Sequence, residues 1–164
     1  MNRDKLRGCK GLLAGAAGGL IASFAMGKFS AVFMAQSDMN RTNSGQGQED
    51  STVLAASAIS RKLFHHDLTP DQKTIAGPAM HYLFGSTMGA TYGVLVEFWD
   101  AARLGWGLPF GAAVWLGAHA IAVPALGLSE PITRNAPAAE AIEGAAHLVY
   151  GAMLEAVRRS IRNP

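Results

Sequence analysis

The chain has 164 residues, of which 49% are hydrophobic and only 16% are charged, against roughly 25% charged in an ordinary soluble domain. Its single cysteine, Cys9, excludes a disulfide framework and every zinc or iron–sulfur site that needs several cysteines. The net charge of +2, without a basic face and interleaved aromatic side chains, excludes a nucleic-acid-binding module. Length and composition leave a single domain that is solvated largely by something other than water.

The first predicted element is an apolar helix over about residues 11–35, preceded by an arm that contains four basic residues. Lys28 is the only charged residue in this stretch and lies near its end, where its aliphatic stem can reach a membrane interface. The apolar run is too long for a signal peptide. Because about 20 apolar residues cross a bilayer, we predict a first transmembrane span here.

A polar outer loop follows over residues 36–73. Its first part is rich in Asn, Ser, Gly and Gln, whereas apolar residues return at helical spacing over residues 51–64 and predict a short amphipathic helix at the outer surface. His65, His66 and Asp67 come next. Such a run can bind a metal ion, but solvated histidines are the commoner case in loops.

The second predicted span covers residues 74–97 and contains no charged residue before Glu97. In the first two spans glycine recurs at every fourth position, the spacing that lets helices pack closely in lipid. These glycines are Gly11, Gly15, Gly19, Gly85, Gly89 and Gly93. In a soluble helix each would cost about 1 kcal/mol relative to Ala, so the spacing argues against the alternative of a water-soluble helical protein.

The third and fourth predicted spans cover residues 105–128 and 138–157. The third is free of charged residues, whereas the fourth contains three glutamates and is predicted from its helical apolar pattern. Basic residues lie in the N-terminal arm, the second connection and the C-terminal tail, so both termini are predicted to be cytoplasmic. The predicted fold class is all-α, a membrane four-helix bundle made of two helical hairpins.

Polar side chains inside the predicted spans are the candidate functional residues, because ionisable groups in a bilayer usually face the bundle interior. They are His81, His119, His147 and Glu143. The three histidines lie roughly 10–15 Å from the outer ends of their spans, counted at the helical rise, so we expect them at one depth. Aromatic residues on the same helix faces are expected to support them: Tyr92, Trp115 and Tyr150.

This set of polar residues has two possible chemistries. Glu143 and His147 are four residues apart, so their side chains can meet. Three neutral imidazoles and a carboxylate can bind Zn²⁺ or another divalent metal, and histidines can also relay protons. Two alternatives stay open: each histidine hydrogen-bonds a neighbouring helix and holds the bundle together, or two histidines ligate a b-type haem, for which tight Gly packing leaves little room.

Charged residues collect at the cytoplasmic ends of the predicted spans. They are Glu97, Asp100, Arg103, Glu155, Arg158 and Arg159. Glu155 and Arg159 have the favourable i,i+4 order, and we predict a belt of interfacial ion pairs here rather than a site. The sequence shows no nucleophile with a base and an acid and no phosphate-binding loop, so we do not expect an enzyme.

A weak internal repeat links the two predicted hairpins. The segment 81–85, His-Tyr-Leu-Phe-Gly, is similar to segment 147–151, His-Leu-Val-Tyr-Gly, and Gly-Ala-Ala occurs in both the first and the third span. Two hairpins in parallel orientation would place the two histidines at equal depth.

The order of several motifs extends from Gly11 to Asn163 and is clearest in the second half of the chain. There the motifs are His119-x4-Pro124, Glu143-x3-His147 and Glu155-x2-Arg158-Arg159. This combination resembles the YagU-like family of bacterial inner-membrane proteins. The resemblance implies a multi-pass inner-membrane protein without an assigned reaction, and it supports the fourth span despite its glutamates.

We therefore expect a multi-pass inner-membrane protein whose His81, His119, His147 and Glu143 respond to protons or to a divalent metal, in a transport or stress-related role. The alternative is a structural or accessory subunit that packs through its Gly stretches into a homo-oligomer or a larger membrane complex. The lipid bilayer is the expected surrounding in both cases, and no nucleic acid is expected as a partner.

Overall fold

The computed structural model describes residues 3–38, 50–127 and 137–162. Throughout these residues the regular structure is helical and contains no strand, which confirms the predicted all-α class. Residues 39–49 of the predicted outer loop, and residues 128–136 at the end of the predicted third span and in the connection after it, lie outside the described residues.

Two long helices, α1 (Arg3–Asp38) and α3 (Pro70–Phe98), form the first hairpin. Helix α3 begins at a capping box: Thr69 Oγ1 accepts a hydrogen bond from the Gln72 backbone N–H at 3.3 Å, and Gln72 Oε1 accepts one from the Thr69 N–H at 2.9 Å. Pro70 occupies the first helical position, where a missing N–H leaves no bond unmade. The Thr-Pro pair therefore determines where this helix starts.

The glycines predicted to pack helices together line the antiparallel contact between α1 and α3. The facing pairs are Gly11 with Gly93, Gly15 with Gly89, and Gly19 with Gly85. A methyl group at Gly15 would overlap the carbonyl oxygen of Gly89, and a methyl group at Gly89 would overlap that of Gly15. The two backbones are in direct contact here, which is an approach that a Cβ atom would prevent.

A short helix, α2 (Ser51–Ile59), and the π-helical segment Ser60–Phe64 that continues it occupy the segment where an amphipathic helix is predicted. Asp50 begins α2 by accepting a hydrogen bond from the Thr52 backbone N–H at 2.9 Å. The helix packs on the first turns of α3, since a methyl group at Gly77 would lie 2.6 Å from Val53 Cγ2.

The connection after α3 is a distorted 3₁₀ segment, Asp100–Gly107. Its backbone leaves helical geometry at residues 104–106, and Trp106 has a φ of 56°, in the left-handed region that bulky residues rarely adopt. The helix of the third predicted span therefore begins at Leu108 and not at residue 105.

The third predicted span is a composite helix. It consists of α4 (Leu108–Val114), the π-helical segment Trp115–Ala122 and α5 (Val123–Ala125). Pro124 has no backbone N–H for a regular i→i−4 bond, and the backbone is π-helical directly before α5. Helix α6 (Pro137–Arg162) then returns and packs on α4.

A second close contact, between α6 and the start of α4, was not predicted. A methyl group at Gly107 would overlap the carbonyl oxygen of Gly151, and a methyl group at Gly111 would overlap the carbonyl oxygen of His147. Helix α1 packs on α6 as well, because a Cβ atom at Gly18 would lie 3.0 Å from Leu154 Cδ1. Helix α1 thus contacts the return helices of both hairpins.

The two close contacts have similar sequences on both sides. Gly-Leu-x2-Gly-Ala-Ala occurs at residues 11–17 and 107–113, and the helices that face these segments contain Tyr-Gly-x3-Glu at residues 92–97 and 150–155. The repeat thus aligns Tyr92 with Tyr150, whereas the similarity between segments 81–85 and 147–151 aligns His81 with His147. The internal repeat is present, but the structure assigns it a different register.

Side chains are distributed in an unusual way between interior and surface. The buried cluster consists of Ala22, Tyr92, Val96, Tyr150 and Leu154, and three charged residues, Glu97, Glu155 and Arg158, are buried as well. Large apolar side chains are exposed along the helices: Leu12, Leu13, Leu20, Ile21, Phe24, Val32, Phe33, Leu83, Leu116 and Ile121.

Length and composition identify one helix within the described residues, Arg3–Met34, as apolar enough to cross a membrane. A signal sequence, or the core helix of a soluble protein, has the same properties. These two criteria therefore support one membrane-crossing helix, whereas the sequence pattern predicts four.

Candidate functional site

A small cavity of about 50 Å³ is bounded by residues of α1, α3, α4 and α6. Two predicted site residues, His81 and His147, line it together with Ser23 and Tyr150. The remaining lining residues are Met26, Phe84, Gly85, Met88 and Val114. Because one water molecule needs about 10–15 Å³, the cavity has room for only a few water-sized groups.

His81 links α3 to α1. Its Nε2 lies 3.3 Å from the carbonyl oxygen of Ser23. A carbonyl oxygen can only accept a hydrogen bond, so Nε2 is the nitrogen that donates. In the neutral ring, Nδ1 is then the acceptor nitrogen.

His147 is buried and bonds within its own helix. Its Nδ1 lies 2.8 Å from the backbone carbonyl oxygen of Glu143, whereas the predicted i,i+4 contact is one between the two side chains and stays a prediction. Nδ1 is therefore the donor, and Nε2 is the acceptor nitrogen of the neutral ring. A backbone carbonyl that holds one ring nitrogen is also the arrangement that orients many metal-binding histidines.

Ser23 is the least satisfied polar residue of the cavity wall. Its residue exposure is 1%, and its Oγ has no hydrogen-bond partner within the described residues. A methyl group at Gly85 would overlap this oxygen, so the hydroxyl lies against the α3 backbone. A buried hydroxyl without a partner costs about 1–3 kcal/mol, which makes Ser23 Oγ a candidate ligand-binding atom.

Tyr150 connects α6 to α3 beside the cavity. Its hydroxyl donates a hydrogen bond of 2.6 Å to the carbonyl oxygen of Gly85, and the side chain is buried. The same glycine therefore contacts both polar groups, the hydroxyl of Ser23 and that of Tyr150. The cavity wall is a joint between three helices.

Trp115 and His119 lie on the π-helical segment. The Trp115 indole packs near Gly144, and its Nε1 is buried without a hydrogen-bond partner in the part of the chain that the structure describes. The side chain of His119 lies outside the described residues, so the set of three histidines stays a prediction. Among the residues that are described, no three His, Cys, Asp or Glu side chains are grouped to hold a metal ion.

Six charged side chains form a layer at the opposite ends of the helices, here named the charge layer: Arg7, Glu97, Glu155, Arg158, Arg159 and Arg162. Glu155 is fully buried and accepts hydrogen bonds from Nε and Nη2 of Arg158 at 2.6 and 2.9 Å. Nε of Arg159 donates a third, at 2.6 Å. One buried carboxylate thus holds two guanidinium groups.

Glu97 is the second acceptor of the charge layer. Nε of Arg162 donates to its Oε1 at 2.7 Å, and Nη2 of Arg7 donates to its backbone carbonyl oxygen at 2.7 Å. The bond to Glu97 raises the pKa of Arg162, and the bond to Glu155 raises the pKa of Arg158. These guanidinium groups therefore remain charged at any physiological pH.

The sequence anticipated part of this arrangement. The Glu155–Arg159 pair is present, and Asp100 pairs with Arg103 at 3.5 Å on the surface. Arg7 and Arg162 were missed because their contacts with Glu97 join residues far apart in the chain. The sequence feature that points to this cluster is the Tyr-Gly-x3-Glu repeat, because it places Glu97, the partner of both arginines, at a position equivalent to that of Glu155.

The cavity lacks one residue that was expected there, Tyr92, and contains one that was not expected, Ser23. Tyr92 is fully buried, but its hydroxyl lies 3.4 Å from the carbonyl oxygen of Ala102, away from the cavity lining. Ser23 was missed, although it continues the series of small residues at every fourth position after Gly11, Gly15 and Gly19.

The sequence model of one family, described as a protein of unknown function (DUF1440), matches residues 44–156 of the chain. No curated protein and no solved structure matches the chain significantly. The match agrees with the expectation of a family without an assigned reaction, while the resemblance to the YagU-like family stays a prediction.

Proposed function

The chain belongs to the DUF1440 family, and from its structure we propose that it is a bacterial inner-membrane helical bundle with a proton-responsive polar site. The site is the cavity lined by Ser23, His81, His147 and Tyr150. The observation that carries this proposal is the buried Ser23 hydroxyl, which has no hydrogen-bond partner among the described residues and lies beside two histidines, in a bundle with large apolar side chains exposed.

The distribution of side chains supports a membrane location for more than one helix. Large apolar residues of a water-soluble protein are mostly buried, whereas here Leu83, Leu116 and Ile121 are exposed on α3 and on the composite third helix. Glycines and charged residues occupy the interior instead. In lipid, small residues pack helices together and ionisable residues face inwards, which accounts for both features.

Aromatic residues support the orientation. Phe98, Trp99 and Trp106 are exposed at the same end of the helices as the charge layer. Trp residues concentrate at membrane–water interfaces, and basic residues concentrate on the cytoplasmic side. The charge layer then lies at the cytoplasmic interface, and the cavity lies in the opposite half, as the positions of the histidines in the sequence predict.

The cavity chemistry supports a small ligand that donates hydrogen bonds. The neutral rings of His81 and His147 each have one acceptor nitrogen, and the Ser23 hydroxyl can accept as well. Water, a hydrated proton or a small cation fits this set and the cavity volume. Imidazole titrates closest to physiological pH, and protonation turns its acceptor nitrogen into a donor. We propose that occupancy changes with pH in a transport or stress-related role.

The test compares thermal unfolding of the full chain in detergent between about pH 5 and pH 8. The double variant His81→Gln/His147→Gln is expected to lose the pH dependence of the melting temperature. His66→Gln is the matched control, because His66 lies outside the bundle and bonds Gln72. The same pH profile for wild type and double variant would contradict the proposal.

A divalent metal is the second ligand that we propose for the same histidines. It is tested by metal analysis of the purified chain and of His119→Ala and His147→Ala variants, in which loss of bound metal is the expected result. Equal metal content in all samples would exclude this ligand. A b-type haem is not supported, because a ligand of that size needs a pocket of several hundred Å³ and the cavity has about 50 Å³.

The accessory-subunit alternative stays a proposal, but it needs a different surface. Gly11, Gly15 and Gly19 of α1 are in contact with α3 of the same chain, so these three glycines are not available to a partner helix. A stable complex after gentle detergent extraction, detected by mass measurement, would support an accessory role through the outward apolar faces, whereas a monomer would contradict it.

A further inference from the structure

We propose that the charge layer, with Trp106 beside it, binds the phosphate group of an anionic phospholipid. This inference rests on the membrane location in the proposed function, but it concerns the end of the bundle opposite the cavity. Three observations carry it: an excess of positive charge, an arginine stacked on an exposed tryptophan, and a backbone that holds this tryptophan in place.

The cytoplasmic end has more basic than acidic side chains. Within residues 3–10, 97–103 and 155–162 there are eight basic residues and four acidic ones. The acidic residues are Asp4, Glu97, Asp100 and Glu155. Glu97, Asp100 and Glu155 already contact arginines, so an excess of positive charge remains after these pairs are formed. An anion from outside the chain would balance it.

Arg159 presents this charge at the surface. Its side chain is 34% exposed, its Nε bonds Glu155, and its guanidinium carbon lies 4.1 Å from the centroid of the Trp106 ring. Stacking and the Nε bond fix the plane of the guanidinium group. A guanidinium group held in one plane can form paired hydrogen bonds with phosphate oxygens, which a lysine cannot do.

The position of Trp106 favours a lipid over a soluble anion. Trp106 is 58% exposed, Trp99 at the end of α3 is exposed as well, and such aromatic side chains lie at the level of lipid headgroups. Its left-handed backbone, between Gly105 and Gly107, costs energy for a bulky residue. The stacking contact with Arg159 holds the indole at this position. Phospholipid headgroups place their phosphates at this same level.

The test measures phospholipid retained by the full chain after purification from nanodiscs that contain equal amounts of phosphatidylglycerol and phosphatidylcholine. Native mass spectrometry is expected to show preferential retention of phosphatidylglycerol by the wild type. Arg159→Lys removes the paired hydrogen bonds to phosphate and Trp106→Leu removes the stacked ring, and each is expected to reduce retention about fivefold, the effect of one such contact. Arg61→Lys, at the other end of the molecule, is the matched control.

The outcomes separate lipid from free phosphate and from a folding defect. Trp106→Leu removes the indole but keeps both side chains of the Glu155–Arg159 pair. Circular dichroism checks that the two variants have the same helix content as the wild type, so that a folding defect is not mistaken for lost binding. Inorganic phosphate at matched ionic strength is expected to leave lipid retention unchanged, and displacement of the lipid by it would overturn the lipid assignment. Equal retention by wild type and both variants would overturn the site.

A failure of this inference can be distinguished from a failure of the proposed function. If the chain requires detergent for extraction and shows the pH response of the cavity, but prefers neither lipid, only the phosphate site is wrong. If the chain is released from membranes by alkaline carbonate without detergent, the membrane location itself is wrong, and the phosphate site falls with it.

Discussion

Arg162 and Glu97 join the last turn of α6 to the last turn of α3, with 2.7 Å between Nε and Oε1. Because Arg7 also bonds Glu97, three helices meet at this carboxylate. Glu155, at the equivalent position of the repeat, bonds Arg158 and Arg159 of its own helix and also interacts with the hydroxyl of Tyr92 on α3. Both glutamates therefore connect α3 with α6, and Glu97 connects α1 as well.

The fully buried Glu155 is expected to be more important for stability than any surface ion pair. Glu155→Gln leaves the buried Arg158 without its charged partner, and breaking a buried pair in this way costs about 3–5 kcal/mol. Asp100→Asn is the matched control, since its pair with Arg103 is exposed and contributes little. Chemical unfolding in detergent gives the free energies, and similar values for both variants would contradict the prediction.

Gly15→Ala is expected to destabilise the chain by about 1–3 kcal/mol, because the added methyl group meets the backbone of Gly89, which cannot move aside as a side chain can. Gly27 lies on the same helix, and a methyl group added there would have no neighbouring atom within 4 Å, so Gly27→Ala is expected to be neutral or slightly stabilising. Melting temperatures measured side by side test this. A loss in both variants would indicate a general effect of glycine in α1.

Ser23→Ala separates a structural role from a binding role. It removes a buried hydroxyl that has no partner in the part of the chain that the structure describes, so the unliganded chain is expected to be as stable as the wild type or more stable. The pH response of the cavity is expected to weaken. Ser86→Ala is the control, because Ser86 Oγ already donates to the carbonyl oxygen of Ala16. An unchanged pH response in Ser23→Ala would remove this residue from the site.

Tyr150→Phe is expected to cost about 1 kcal/mol, the net contribution of the hydrogen bond to Gly85. Tyr82→Phe is the matched control, since Tyr82 is half-buried and packs edge-on against His81. The free energy of unfolding is measured for both. An equal cost would mean that the loss comes from the aromatic environment and not from the bond between α6 and α3.

The sequence predicted helices well, because charge-free stretches are local features. It began the second span at residue 74, however, and overlooked the Thr69 cap at which α3 begins four residues earlier. It also predicted the glycines of the α1–α3 contact from their spacing. The second contact was missed because its glycine series is shorter: Gly107 and Gly111 face the single Gly151, whereas the α1–α3 contact has three glycines on each helix.

In the candidate site, too, local sequence features were predicted and contacts between distant residues were missed. His81 and His147 were expected at one depth from counting residues along helices, and they line one cavity. Ser23 was missed because a small residue that continues a glycine series is expected to serve helix packing and not ligand binding. The contact between Arg162 and Glu97 depends on the register of two helices, which local periodicity does not determine.

The α1–α3 contact repeats every four residues, so it looks nearly the same after one helix slides along the other by a turn, about 5.4 Å. In the shifted alignment Gly15 would meet Gly93 and Gly19 would meet Gly89, with Ser23 opposite Gly85. The glycines alone therefore permit two alignments. The bonds from Arg7 to Glu97 and from His81 to Ser23 occur at the two ends of the contact and match only the observed one. The polar bonds at the two ends of the contact thus select one helix register, which the glycines alone leave undetermined.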